Sequence, residues 1–210
     1  AKKSAYNEML RRAQVLRLAQ RWGFVIAEDD TYGDIRFEGE PVPSIFSMDD
    51  AGVVVKAGSF SKILAPGIRL GWAMGRTDII GALAAIRHDL VVSPFIARVV
   101  SAYAQAGLLY PHIATLRPFY RTKRDHMVAS LGEHCAPLAT WLVPRGGFHI
   151  WLTLSPAVDP DKLAAHAIHA GVAYMPGTEH FADGQGRNNL RLAFSYPPLP
   201  AIEQGVAALG

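Results

Sequence analysis

Two short apolar runs, Phe24-Val25-Ile26-Ala27 and Val53-Val54-Val55-Lys56-Ala57, each give way abruptly to a polar cluster, and this pattern constrains the chain more than any other feature. Runs of this length bounded by turn residues read as buried strands, apolar throughout because both faces are covered. The segment ahead of the first run reads as a helix: between Ser4 and Arg21 the residues Met9, Ala13, Leu16 and Ala19 recur at helical spacing, with arginines and glutamines between them. Gly23 is the natural stop for that helix. A third short strand is expected at Gly71-Trp72-Ala73-Met74. Helix alternating with apolar strand predicts an α/β fold, a mostly parallel sheet flanked by helices. Such sheets bind ligands just beyond the carboxyl ends of their strands, and the two polar clusters lie there.

Further along the chain the character changes. A helical pattern runs through Ile79, Ile80, Leu83 and Ile86 and resumes beyond Ser93-Pro94 to about Ala106, which predicts a long helix kinked at the proline and connecting two lobes. Pro111 to about Gly132 reads as another long helix. Short strands follow at Trp141–Val143, Phe148–Leu152, Val172–Met175 and Asn189–Phe194, with helices at Asp161–Ala170 and Pro200–Leu209. The expected organisation is part of a large domain over 1–80, a connecting helix over 81–106, and a small α+β domain over 107–210.

At 210 residues and 50% hydrophobic the chain can bury a sizeable core. The net charge of +3 is mild. The one concentration of basic residues, Arg117 to Arg124, is broken by Pro118, Phe119 and Tyr120 and reads as a solvated helix face, not a nucleic-acid surface. A lone cysteine, Cys135, excludes an internal disulfide and fits a reducing, cytoplasmic setting. No apolar stretch reaches the length of about 18 residues that a membrane span requires. His166 and His169 lie three apart on one helix but lack a third ligand, and Glu133-His134-Cys135 offers no cation to activate the thiol, so no metal site is expected.

The polar clusters carry chemistry. After the first strand come Glu28-Asp29-Asp30-Thr31-Tyr32, acids and a phenol. After the second comes Gly58-Ser59-Phe60-Ser61-Lys62, a loop amine able to bond covalently to a carbonyl carbon, with Arg69 seven residues on. Acid, phenol, serine, lysine and arginine in this order resemble the site of pyridoxal-phosphate enzymes with the aspartate aminotransferase fold (fold type I). More narrowly, they resemble the subgroup of 2-aminoadipate aminotransferases and the aminotransferase-like domains of MocR-type regulators. The resemblance spans nearly the whole chain and implies pyridoxal 5'-phosphate as cofactor. It implies that Lys62 forms the Schiff base and moves the proton, and that Asp29 meets the pyridine nitrogen with Asp30 facing away. It further implies that Tyr32 bonds the cofactor's phenolic oxygen, while Ser59, Ser61 and Arg69 hold the phosphate. In Asn189-Leu190-Arg191-Leu192 it assigns Arg191 to the substrate carboxylate, a role that suits an arginine flanked by leucines. Pro144-Arg145-Gly146-Gly147-Phe148 matches a structural turn.

The implied activity is transfer of an amino group from an amino acid to a 2-oxo acid, in a homodimer with its active sites at the subunit interface. An effector domain of a MocR/GntR-type transcriptional regulator is the alternative, and nucleic acid becomes a partner only if a winged helix precedes these residues. The family's phosphate loop, ring-stacking aromatic and asparagine are not found, so the sequence is expected to be the C-terminal part of a longer protein. Ser59-Phe60-Ser61-Lys62 also has the Ser-x-x-Lys spacing of penicillin-recognising enzymes, but Lys56-Ala57-Gly58 precedes the serine where a Lys-Thr-Gly should follow it.

Overall fold

The computed structural model describes residues 2–87 and 92–210 and divides into two compact units, 1–116 and 117–210. The first unit opens with helix α1 (Lys2–Trp22), which buries Leu16 and Ala19 and half-buries Met9 and Ala13, the stripe that the spacing predicts. Gly23 ends it in the left-handed region, with φ of 71° and its amide bonded to the Ala19 carbonyl at 2.8 Å. Three strands form one sheet in the order β1 (Ile26–Asp29), β2 (Val54–Ser59), β3 (Gly71–Met74). β1 and β2 are parallel, whereas β3 runs antiparallel to β2. The short loop of residues 60–70 explains the reversal, since a parallel return needs a longer crossover.

β1 begins two residues later than the apolar run. Phe24 and Val25 precede the paired register and are exposed, and β1 itself alternates between half-buried and exposed because it is an edge of this sheet. Glu28 serves the fold, since its two carboxylate oxygens accept from the amides of Ile45 and Phe46, at 2.8 and 3.0 Å, at the start of a short 3-10 turn. Arg12 stands 3.6 Å from the same carboxylate.

The connecting helix expected over 81–106 includes residues 88–91, which lie outside the described residues. Before them α2 spans Thr77–Ala85, and after them α3 spans Pro94–Gln105. Pro94 takes the first helical position, where its missing N–H is not needed, and Ser93 caps the helix through its side chain. The boundary between the units falls at residues 116 and 117, inside α4 (Leu109–His134).

The second unit holds a four-stranded antiparallel sheet in the order β4 (Ala139–Trp141), β5 (His149–Leu154), β7 (Asn189–Ala193), β6 (Met175–Pro176), with α5 (Pro160–His169) and α6 (Leu199–Ala207). β5 alternates strictly, burying Ile150, Leu152 and Leu154, and β7 buries Leu190 and Leu192. Phe194, Ile202, Val206, Met127 and Leu131 are also buried in this unit.

Lys123 and Arg124, expected on a solvated face, are buried. Lys123 Nζ donates to the carbonyls of Ser195 and Tyr196 at 2.6 and 3.4 Å, and Arg124 donates to the Pro144 carbonyl and to Asp125, each at 2.6 Å. Main-chain oxygens far along the sequence, with the neighbouring Asp125 carboxylate for Arg124, therefore satisfy these cations. Burial pushes the Lys123 amine below its ordinary value.

Candidate active site

The site candidates of the first unit collect at the carboxyl ends of β1 and β2. Asp29 ends β1 and pairs in register with Ala57, and the Asp30 amide bonds the Ala57 carbonyl at 2.8 Å, so the acidic cluster and the lysine loop leave adjacent parallel strands. Close packing of β2 on β3 fixes the base of the loop: a side chain at Gly58 would collide with the indole of Trp72. Beyond Ser59 the chain closes a tight turn, with the Leu64 amide bonded to the Phe60 carbonyl at 2.8 Å and the Phe60 amide to the Leu70 carbonyl at 3.0 Å. Lys62 rides on that turn, half-buried.

Its amine sits 5.9 Å from the centroid of the Tyr32 ring and has no hydrogen-bond or ion-pair partner among the described residues. Ser59 Oγ accepts the Ser61 amide at 3.1 Å, and the buried Ser61 hydroxyl accepts from Arg69 Nη1 at 3.4 Å. Arg69 is the one non-glycine residue of the described chain with positive φ, at 48°, and its guanidinium also reaches the Pro66 carbonyl at 3.5 Å. A left-handed arginine costs on the order of 1 kcal/mol, and such strain concentrates where a side chain must point in one direction. Asp29 and Asp30 diverge: Asp30 is ion-paired with Lys56 at 2.6 Å, while Asp29 Oδ1 accepts both the amide and the hydroxyl of Thr31. Those two bonds, the hydroxyl's first, hold the Asp29 carboxyl below the usual aspartate value, against a smaller opposing effect of burial.

Asp29, Tyr32, Ser59, Ser61, Lys62 and Arg69 thus belong to one unit, and Arg191 to the other. Arg191 is half-buried on β7, on the face opposite Leu190 and Leu192, across from Trp151 on β5 and Met175 on β6. The flanking leucines line the core, and the alternation of the strand turns the arginine away from it. Among the described residues it has neither an ion-pair nor a hydrogen-bond partner, and no group of three or more His, Cys, Asp or Glu residues could hold a metal. No helix among the described residues is long and apolar enough to cross a membrane. Sequence reasoning missed Thr31, although a threonine two residues after an aspartate is a known way to build a side-chain-capped turn.

The donor set fits a phosphorylated carbonyl cofactor with a basic ring nitrogen. It offers an amine free to bond carbon, a carboxylate with one oxygen unengaged, a phenol beside the amine, and a guanidinium with two serine hydroxyls for an anion. An open α/β sheet with a lysine loop so equipped defines the class of fold type I transferases. The sequence model described as aminotransferase class I and II matches residues 9–209, and the chain belongs to that family. It is 37% identical over 201 residues to aromatic-amino-acid aminotransferase 1 of Thermococcus litoralis, covering 95% of this chain and 48% of that protein. It is 32% identical to the HTH-type transcriptional regulator YisV of Bacillus subtilis, covering 94% of this chain and 41% of the regulator. The crystal structure of Pyrococcus horikoshii kynurenine aminotransferase, solved with PMP and substrates, superimposes with a TM-score of 0.88 at 39% identity. That match covers 95% of this chain and 50% of the kynurenine aminotransferase chain. The chain therefore spans about half the length of the relatives it matches.

Proposed function

We propose that the protein is an aminotransferase that uses pyridoxal 5'-phosphate to move an amino group from an amino acid to a 2-oxo acid in two half-reactions. The observation that carries this reading is the unpartnered Lys62 amine beside the Tyr32 ring, on a turn flanked by the Ser61–Arg69 pair and one strand away from Asp29. When bound, the cofactor supplies a carbon that condenses with amines and a ring that accepts the electron pair released at the substrate α-carbon.

The residues divide the remaining work. Arg69 with the hydroxyls of Ser59 and Ser61 binds the phosphate and fixes the cofactor's orientation. Asp29 would face the ring nitrogen and keep it protonated, and Tyr32 would offer its phenol as a hydrogen-bond donor to the ring. Lys62 would hold the cofactor through its Nζ and, with that amine free, would serve as the base that takes up and gives back a proton beside the substrate α-carbon. Arg191 binds the substrate α-carboxylate through its planar fork. Its unpaired state on a half-buried strand supports that role. The reading is completed by a homodimer, supported by the exposed apolar side chains of Val15, Leu18, Trp22, Phe24 and Val25, and by a cytoplasmic setting, supported by the single buried Cys135.

The match to a transcriptional regulator over the same residues favours a second reading, an effector domain that binds the same cofactor without turnover. One experiment separates the two. The intact protein, loaded with pyridoxal phosphate, is mixed with a panel of amino acids, and conversion to pyridoxamine phosphate is followed by absorbance, then reversed with 2-oxoglutarate. Conversion by at least one donor and recovery by the oxo acid are expected. Stable cofactor binding with no conversion by any donor would favour the regulator.

A further inference from the structure

Asp29 engages its surroundings through one oxygen only. Oδ1 accepts from the Thr31 amide at 3.0 Å and from the Thr31 hydroxyl, whereas Oδ2 accepts no hydrogen bond among the described residues. Both donors come from a residue two places along the chain, so they are in position before any ligand arrives. Two donors on one oxygen fix the rotation of the carboxyl group and give the second oxygen a set direction. They also withdraw charge from the carboxylate and make it a weaker base, consistent with the lowered Asp29 value. A weaker base leaves a shared proton on the ring nitrogen, the condition under which the ring draws electrons.

We infer that Thr31 is a positioning residue for the cofactor: its hydroxyl and amide occupy Asp29 Oδ1 and leave Oδ2 as the oxygen that meets the ring nitrogen. The inference rests on the assignment of Asp29 made under Proposed function. Its rival is a structural role, in which Thr31 merely shapes the turn leading to Tyr32 and matters equally to any ligand of the site.

The test measures binding of two probes to the intact protein, pyridoxal phosphate and its 1-deaza analogue, in which a CH replaces the ring nitrogen. Thr31→Val removes the hydroxyl and keeps the shape; Thr31→Ser restores the hydroxyl; Asp29→Asn removes the carboxylate. Thr31→Val is expected to weaken pyridoxal phosphate about threefold to tenfold, because the carboxyl must then be ordered at the moment of binding, and to leave the analogue unchanged, with Thr31→Ser close to wild type. In the cofactor-free protein, carboxyl carbon NMR should show Asp29 titrating at higher pH in Thr31→Val. Equal weakening of both probes, or no change in either, overturns the inference while the site assignment survives. Failure of wild type and Asp29→Asn to differ in their preference between the probes overturns the Asp29 assignment, and this inference with it.

Discussion

In the second unit, β5 and β7 turn every other side chain into a core of Ile150, Leu152, Leu154, Leu190 and Leu192, closed by Phe194, Ile202 and Val206. The first unit covers its sheet more thinly: β3 is mostly exposed, β1 half so, and full burial of apolar side chains falls on Leu16 and Ala19 of α1, Val54 and Val55 of β2, and Ile35, Ile63, Val100 and Ile113. The candidate reacting groups sit in the thinner unit, on turns held by main-chain bonds together with the buried Ile63 and the close approach of Trp72 to Gly58. The second unit contributes a single candidate, Arg191, on a strand whose other face is core. Function and stability should therefore separate on mutation, chemistry failing first in the one unit and folding first in the other.

The largest expected effect is chemical. Lys62→Ala should lower amino-group transfer in the intact protein by at least about a thousandfold, because the covalent link and the proton carrier vanish together, while the denaturation midpoint stays unchanged. A drop in stability of comparable size would break the comparison. Next comes Phe194→Ala, which empties a fully buried position in the second unit and should cost about 3–5 kcal/mol by urea titration, whereas Val25→Ala in the first unit should stay within about 0.5 kcal/mol.

Arg69→Gly sharpens the contrast further. It removes the proposed phosphate partner but relieves a left-handed backbone, so cofactor binding should weaken by about ten- to a hundredfold with stability equal to or above wild type. Arg69→Ala should weaken the cofactor alike and lose the stability gain.

The smallest effect concerns pH. Lys123 has a folded-state value below its ordinary 10.5, so the unfolded chain binds the proton more tightly. Stability should thus rise with pH through the window between the lowered value and 10.5, and Lys123→Met should flatten that part of the profile.

Much of the architecture was legible because local periodicity carries it. The spacing of Met9, Ala13, Leu16 and Ala19 named the buried stripe of α1, and the bounds of β3 matched because Gly71 and the turn beyond Met74 delimit a short apolar run. The cluster of Asp29, Tyr32, Ser59, Ser61, Lys62 and Arg69 was legible for a related reason: adjacent strands bring together segments that are each short and contiguous. Strand direction at β3 depends on the length of a return loop, which apolar pattern does not encode. The burial of Lys123 and Arg124 stayed hidden because, apart from the neighbouring Asp125 carboxylate, they donate to carbonyls at Ser195, Tyr196 and Pro144, and a main-chain acceptor has no signature in side-chain sequence. Arg191 shows the limit of reading neighbours in a strand, since its leucines lie on the other face.

The central claim is that Lys62 is the amine that bonds the cofactor. Borohydride reduction of the intact protein loaded with pyridoxal phosphate, followed by peptide mapping, tests it directly. A single phosphopyridoxyl label on Lys62 is predicted; a label on another lysine, or none at saturating cofactor, would contradict it.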